Sequence, residues 1–320
     1  MLRLARRKNE INRDMPVRRE RVEAEDFDVS ISVFLRNCRI KNLSEYTMRY
    51  YKNELIGTLR LLEMRRVDTH PTKITPATIK EDVILAMMEA GLKATTINTR
   101  LRALRAFFNF LEAEGMIDES PFQNISLVKA KKEVIQTFTR EQIRALFEQP
   151  NQATFTGIRD YTIMSLMLDT GIRARELVDL SVGDIRWEDN TILVDGKGNK
   201  ERLVPMQTTL KRQLRKYVAI RGTLPAESLF VNIDDQTLSK RRIQEFIALY
   251  GRRANIQNVR CSPHTFRHTF AKMSVQNGAD VFALQKILGH TSLEMVRNYV
   301  NLFSADVAAK HKKFSPLENL

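Results

Sequence analysis

The chain has 320 residues, enough for about two domains. Hydrophobic residues make up 43% and charged residues 28%, the balance of an ordinary globular protein with apolar side chains for two cores. A net charge of +14 favours a polyanionic partner, DNA phosphates being the commonest, although charge alone leaves anionic membranes and acidic proteins open. Two cysteines, Cys38 and Cys261, exclude a disulfide framework and point to a reducing cytosol; with five histidines they give no metal-ligand spacing. The N-terminus is basic but lacks the apolar core of a signal peptide, and Glu10 and Asp14 argue against an Arg-rich transit peptide. No apolar run approaches the ~20 residues needed to span a bilayer, so no membrane partner is expected.

Residues 1–26 hold eight arginines and lysines with few apolar anchors. This reads as a basic arm or a loosely docked helix, serving either as a solvated charged face or as a DNA contact. Residues 27–115 read as a four-helix bundle. Phe27, Ile31, Phe34 and Leu35 mark a first helix. Ser44 caps a second, with Met48, Tyr51, Leu55, Leu59 and Leu62 on one stripe. Thr75-Pro76 starts a third that runs to Ala90 and stops at Gly91. The fourth turns Ile97, Leu101, Leu104, Phe108 and Leu111 inward. Its outer face carries Thr95, Asn98, Arg102 and Arg105, with Lys93 just before it. Such a face contacts phosphates or bases, or is simply solvated.

Residues 116–137, with the run Lys129-Ala130-Lys131-Lys132, read as a polar linker whose lysines, Lys131 among them, suit a DNA backbone. A second domain, 138–303, opens near Phe138, where Thr139 and Gln142 have capping-box spacing. The stretch Ile158–Leu168, apolar almost all round, predicts a central helix. Short strands follow at 185–187, 191–194 and 202–204, the last two joined by a Gly- and Asn-rich turn. Helices resume at 210–217, 239–253, 263–276, 280–288 and 292–302. The expected fold is mainly α with one small antiparallel sheet.

Chemistry concentrates between residues 171 and 299. Gly171-Ile172-Arg173 ends one helix and opens the next. Lys197 sits between two glycines in the turn, but the phosphate-loop pattern is excluded, because the turn joins two strands and no Ser or Thr follows the lysine. In Ser262-Pro263-His264-Thr265-Phe266-Arg267-His268, Ser262 caps and Pro263 starts a helix, placing His264 and Arg267 at i and i+3. His264 and His268 have the spacing of a helical zinc site, yet Thr265 replaces the needed glutamate, so no metal is expected. Leu288-Gly289-His290 is a helix stop followed by a histidine, and Tyr299 lies on the next helix near an apolar stripe of Leu293, Val296 and Val300. Taken singly, each has a plain structural reading: a surface arginine, a solvated lysine, a packed histidine, an amphipathic tyrosine.

Taken together and in order, Arg173, Lys197, His264-x-x-Arg267, His290 and Tyr299 resemble the tyrosine recombinases, or phage integrases, over roughly residues 28–312. Ile172 and Phe266 stand where the family often has leucine, and Arg175 is less usual. The resemblance implies an N-terminal helical core-binding domain and a C-terminal α/β catalytic domain. It implies Tyr299 as nucleophile, Arg173 and Arg267 clamping the non-bridging phosphate oxygens, and His290 bonding the same phosphate. His264 would manage the tyrosine proton, Lys197 would protonate the leaving 5′ oxygen, and Glu176 would orient Arg173. The implied intermediate is a 3′-phosphotyrosyl ester whose stored bond energy makes ATP, metal or any other cofactor unnecessary.

The implied partners are double-stranded recombination sites, with four copies of the chain on two sites and room for an accessory DNA-binding factor. The tail, 304–320, would dock on a neighbouring protomer. Twenty-six residues before the bundle are fewer than the arm-binding domain of large phage integrases needs, so a two-domain enzyme is expected. Two other readings remain. A type IB topoisomerase uses similar chemistry but has no use for such a tail, and a DNA-binding protein with a decayed site has no use for the complete residue set.

Overall fold

A computed structural model describes residues 26–130, 135–196 and 200–289. The chain divides into two compact units, Met1–Glu133 and Val134–Leu320.

The first unit is helical: α1 (Phe27–Ile40), α2 (Glu45–Met64), α3 (Pro76–Thr78), α4 (Ala86–Glu89) and α5 (Ala94–Ala113). The Ser44 hydroxyl accepts the Thr47 N–H at the start of α2, and Thr75 and Thr78 cap each other at α3. Residues Ile79–Leu85 continue from α3 into α4 with π-helical winding. The single helix expected from Pro76 to Ala90 is therefore present with a wider middle. An aromatic cluster fills the core, with the Phe27 and Phe107 rings 5.1 Å apart and Phe34 5.7 Å from Phe107.

The expected polar linker is not one through residue 130. Met116, Ile117, Phe122 and Ile125 are buried in this same core, and Val128 packs against it. Their apolar side chains fold the segment back onto the bundle instead of leaving it solvated. Lys131 and the rest of 131–134 lie outside the described residues.

The second unit contains α6 (Arg140–Phe147), α7 (Phe155–Thr170) and α8 (Ala174–Asp179). Strands β1 (Ile185–Arg186), β2 (Thr191–Gly196) and β3 (Lys200–Pro205) follow. Then come α9 (Thr208–Arg221), α10 (Lys240–Arg253), α11 (Pro263–Gln276) and α12 (Val281–Leu288). Thr139 and Gln142 form the expected capping box at α6. Helix α7 is buried along most of its length and packs against α9 and α11, as apolar side chains almost all round it predict. It also carries the buried Arg159–Asp160 pair, whose carboxylate accepts the Tyr250 hydroxyl at 2.9 Å and so ties α7 to α10.

The sheet is antiparallel in the order β1-β2-β3, with Val194 opposite Arg202 and Gly196 opposite Lys200. Strands β2 and β3 extend two residues further toward the turn than the apolar pattern suggests, because the backbone ladder continues into Asp195, Gly196, Lys200 and Glu201. The turn itself, 197–199, and everything from residue 290 onward, the expected helix at 292–302 and the tail included, lie outside the described residues. Among the described residues no helix is long and apolar enough to cross a membrane.

Candidate active site

The site begins at the end of α7. Gly171 takes a left-handed conformation, φ +62°, and a Cβ there would stand 2.4 Å from the Phe270 ring. Only glycine satisfies both the turn and the close approach. The chain then reverses into α8, with Arg173 as its extended N-cap and Glu176 in its first turn. Glu176 accepts the Arg173 backbone N–H at 2.9 Å and its Nη1 at 2.7 Å. A carboxylate at this position also suits the positive end of the helix dipole.

Arg202, from β3, completes the carboxylate. Its Nη1 and Nη2 donate to Oε1 and Oε2 of Glu176 at 3.0 and 2.8 Å, a two-toothed fork. Glu176 is 6% exposed. Burial alone raises its pKa, but the bonds from Arg202 and Arg173 outweigh burial and hold the carboxyl below its ordinary value.

The three arginines converge on the C-terminus of α12. The carbonyl of Ile287 accepts Arg202 Nε at 2.9 Å. That of Leu288 accepts Arg267 Nη2 at 2.7 Å, and that of Gly289 accepts Arg173 Nη2 at 3.0 Å. Arg267 Nη1 also donates to the Gly171 carbonyl at 2.7 Å. The final carbonyls of a helix have no partner within it and form its negative end, so guanidinium groups are stabilised there. Gly289 supplies the left-handed C-cap, φ +62°, directly before His290.

The structure thus brings Arg173, Arg267 and Glu176 together around one turn. Arg267 is buried, whereas the Arg173 side chain is 34% exposed. Among the described residues Arg173 uses Nη1 and Nη2 in protein bonds, leaving N–H capacity among its five donors for an incoming phosphate. His264 opens α11, where the Ser262 hydroxyl accepts the Thr265 N–H at 3.3 Å. The His264 residue is exposed, yet partial desolvation and then the cations Lys240, Arg267, Arg260 and Arg173 hold its pKa below the ordinary value. It therefore favours the neutral, proton-accepting form. Lys197, His290 and Tyr299 lie outside the described residues.

The face expected on α5 divides in two. Lys93, Thr95 and Arg102 are exposed. Asn98 is not on a solvent face. Its side-chain amide donates to the Val128 carbonyl and accepts the Val128 N–H, both at 2.8 Å, as a neighbouring strand would. Arg105 donates to the Ile125 carbonyl and lies 5.8 Å from the centre of the Phe122 ring. Both side chains satisfy backbone groups of the segment that folds over α5, which would otherwise be buried without partners.

Sequence reading left Arg202, the first residue of the strand expected at 202–204, without a role. A signal was present in register. Arg202 and Val204 share one face of β3, and Val204 is 1% exposed. An arginine on an inward face requires acceptors for its N–H groups, a carboxylate or carbonyls.

A mainly helical domain with arginines gathered beside a helix end, and a histidine of lowered pKa one turn from Arg267, is suited to hold a phosphodiester. The comparisons give the same class. The phage integrase family model matches residues 136–305, and the phage integrase N-terminal SAM-like domain matches residues 34–115. The tyrosine recombinase XerC of Thermodesulfovibrio yellowstonii is 32% identical over 296 residues, covering 90% of this chain and 96% of that protein. XerD of Staphylococcus haemolyticus is 30% identical, covering 86% and 94%. Among solved structures, the Tn1549 transposon integrase in complex with transposon right-end DNA shares the fold at a TM-score of 0.71 and 21% identity, covering 89% of this chain and 99% of that one. XerH bound to palindromic difH gives 0.70 and 19%, covering 90% and 85%. The chain belongs to the phage integrase family, the site-specific tyrosine recombinases.

Proposed function

We propose that this chain exchanges DNA strands through a covalent ester on Tyr299. The Tyr299 oxygen attacks the scissile phosphorus and the bond to the 5′ oxygen breaks, leaving a 3′-phosphotyrosyl ester and a free 5′ hydroxyl. His264 takes the phenolic proton, and Lys197 gives a proton to the departing 5′ oxygen. Arg173 and Arg267, with His290, neutralise the non-bridging oxygens as charge builds on them. Attack by a 5′ hydroxyl from the partner strand reverses the step and joins the new pair. The observation that carries this reading is the convergence of Arg173 and Arg267 on adjacent carbonyls, Gly289 and Leu288, immediately before His290.

The substrate is double-stranded DNA carrying recombination sites. Lys93, Thr95 and Arg102 of the first unit, together with Lys131, face its backbone. Four copies of the chain assemble on two sites, each tail from Ser304 onward docking on the next copy, with an accessory DNA-binding factor able to bias the pairing. A duplex nicked near the scissile phosphate tests the reaction. An active recombinase is trapped as a covalent adduct and also transfers strands between two sites. Trapping without exchange would indicate a topoisomerase, and binding without trapping a decayed site.

A further inference from the structure

The Arg173–Glu176 pair depends on a residue that nothing above places in the chemistry. We infer that Arg202 is a positioning residue for Arg173, and the inference rests on the function proposed above. Arg173 leans on two atoms, Glu176 Oε1 and the Gly289 carbonyl oxygen. Arg202 fixes the surroundings of both. It grips both oxygens of Glu176, so the carboxylate cannot swing about its last bond. Its third donor, Nε, holds the Ile287 carbonyl two residues before Gly289. The guanidinium also lies against Gly289 itself, since a Cβ there would meet its Cζ, Nε and Nη1 at 3.1 Å.

The residue type matters. A fork on a carboxylate with one donor left for a carbonyl is the geometry of arginine, and a lysine ammonium reproduces the charge without the fork. The Arg202 side chain is 11% exposed, so this fork forms in protein and not in bulk water. Arg202 also stands on the strand that leaves the Lys197 turn, which links that turn to the phosphate-binding arginines through a single side chain.

Removing the fork leaves Glu176 held by Arg173 alone and releases the Ile287 carbonyl in the last turn of α12. Arg173 then loses a fixed position relative to the scissile phosphate. A displacement of about 1 Å in a positioned group costs on the order of 10²-fold in rate. Such a loss has a chemical signature. A neutral methylphosphonate at the scissile position carries no anionic oxygen and depends less on a correctly placed arginine.

The test compares full-length protein with the variants Arg202→Met and Arg202→Lys. Single-turnover adduct formation is measured on nicked duplexes with a normal phosphate, a methylphosphonate, or a 5′-bridging sulfur at the scissile position. The expected result is a loss of about 10²-fold for Arg202→Met on the normal phosphate. DNA affinity should be unchanged, the loss should be clearly smaller on the methylphosphonate, and Arg202→Lys should fall between. Arg202→Lys keeps the charge, so it carries the comparison if Arg202→Met fails to fold. Equal losses on all three substrates mean that Arg202 only stabilises the domain. Rescue confined to the sulfur substrate assigns it to the Lys197 turn, and either outcome overturns the inference. If the unaltered protein forms no adduct with normal DNA, the Tyr299 reading fails, which is distinct from a failure confined to the variants.

Discussion

Replacing Glu176 by glutamine tests the arginine cluster by its energy. The side chain keeps its shape, but one oxygen becomes an amide that donates. Each Glu176 oxygen accepts two N–H groups, Oε1 from Arg173 Nη1 and Arg202 Nη1, Oε2 from the Arg173 backbone and Arg202 Nη2. Whichever oxygen is replaced, two donors then face a donor, and two guanidinium groups lose their carboxylate partner. Breaking one side of a buried pair costs about 3–5 kcal/mol. The Arg173 side chain is 34% exposed, which screens its share, so the lower end, about 3 kcal/mol, applies. For a unit of this size that is a fall in Tm of roughly 6–12 °C.

The assay is thermal and urea unfolding of the full chain at several pH values. The folded carboxyl titrates below its ordinary value of 4.5. Its stabilisation is therefore fully present above 4.5 and disappears as pH falls through the lower folded value. The gap between the two proteins should be wide at pH 7 and should close in acid, where a protonated glutamate resembles glutamine. A gap below about 1 kcal/mol at pH 7, smaller than any buried pair should give, would refute the reasoning, and so would a gap that ignores pH.

Four further outcomes are expected. The kcat/KM for cleavage should have its acidic limb below pH 6.5, because desolvation and nearby cations lower the His264 pKa; a limb centred above 6.5 contradicts the assignment. Asn98→Ala should destabilise the first unit by about 2 kcal/mol through two unpaired backbone groups at Val128. Arg102→Ala should leave stability within about 0.5 kcal/mol and instead reduce the salt dependence of DNA binding by about one ion. Unfolding curves and salt titrations distinguish the two, and equal behaviour would mean α5 has been divided wrongly. Lys197→Ala should cleave slowly on normal DNA and recover on a 5′-bridging sulfur, whose better leaving group needs no acid; failure to recover would leave Lys197 a phosphate contact.

The helices were legible because their signals are local. Ser44, Thr75, Thr139 and Ser262 cap through side chains three residues from their partners, and Gly171 and Gly289 end helices by the conformation only glycine adopts cheaply. The order of the site residues was legible as a motif. Less legible were contacts set by folding at a distance. Asn98 has the look of an outer-face polar residue until residues 116–130 lie over it, thirty positions along the chain. Those residues advertised their burial through Met116, Ile117, Phe122 and Ile125, but the lysine run that follows obscured it. Arg202 was hidden by an inverted strand, in which Leu203 is 48% exposed while the arginine beside it points in. Its partners, Glu176 and Ile287, are 26 and 85 residues away, a separation that no short motif records.

The most direct test of the account is the Tyr299→Phe variant on a nicked duplex site. The substitution removes one hydroxyl from a side chain that can otherwise pack as before. DNA binding in a native gel should be nearly unchanged, and a denaturing gel should show the covalent adduct of the unaltered protein and none for the variant. An adduct at normal yield in Tyr299→Phe would contradict the central claim and place the nucleophile elsewhere.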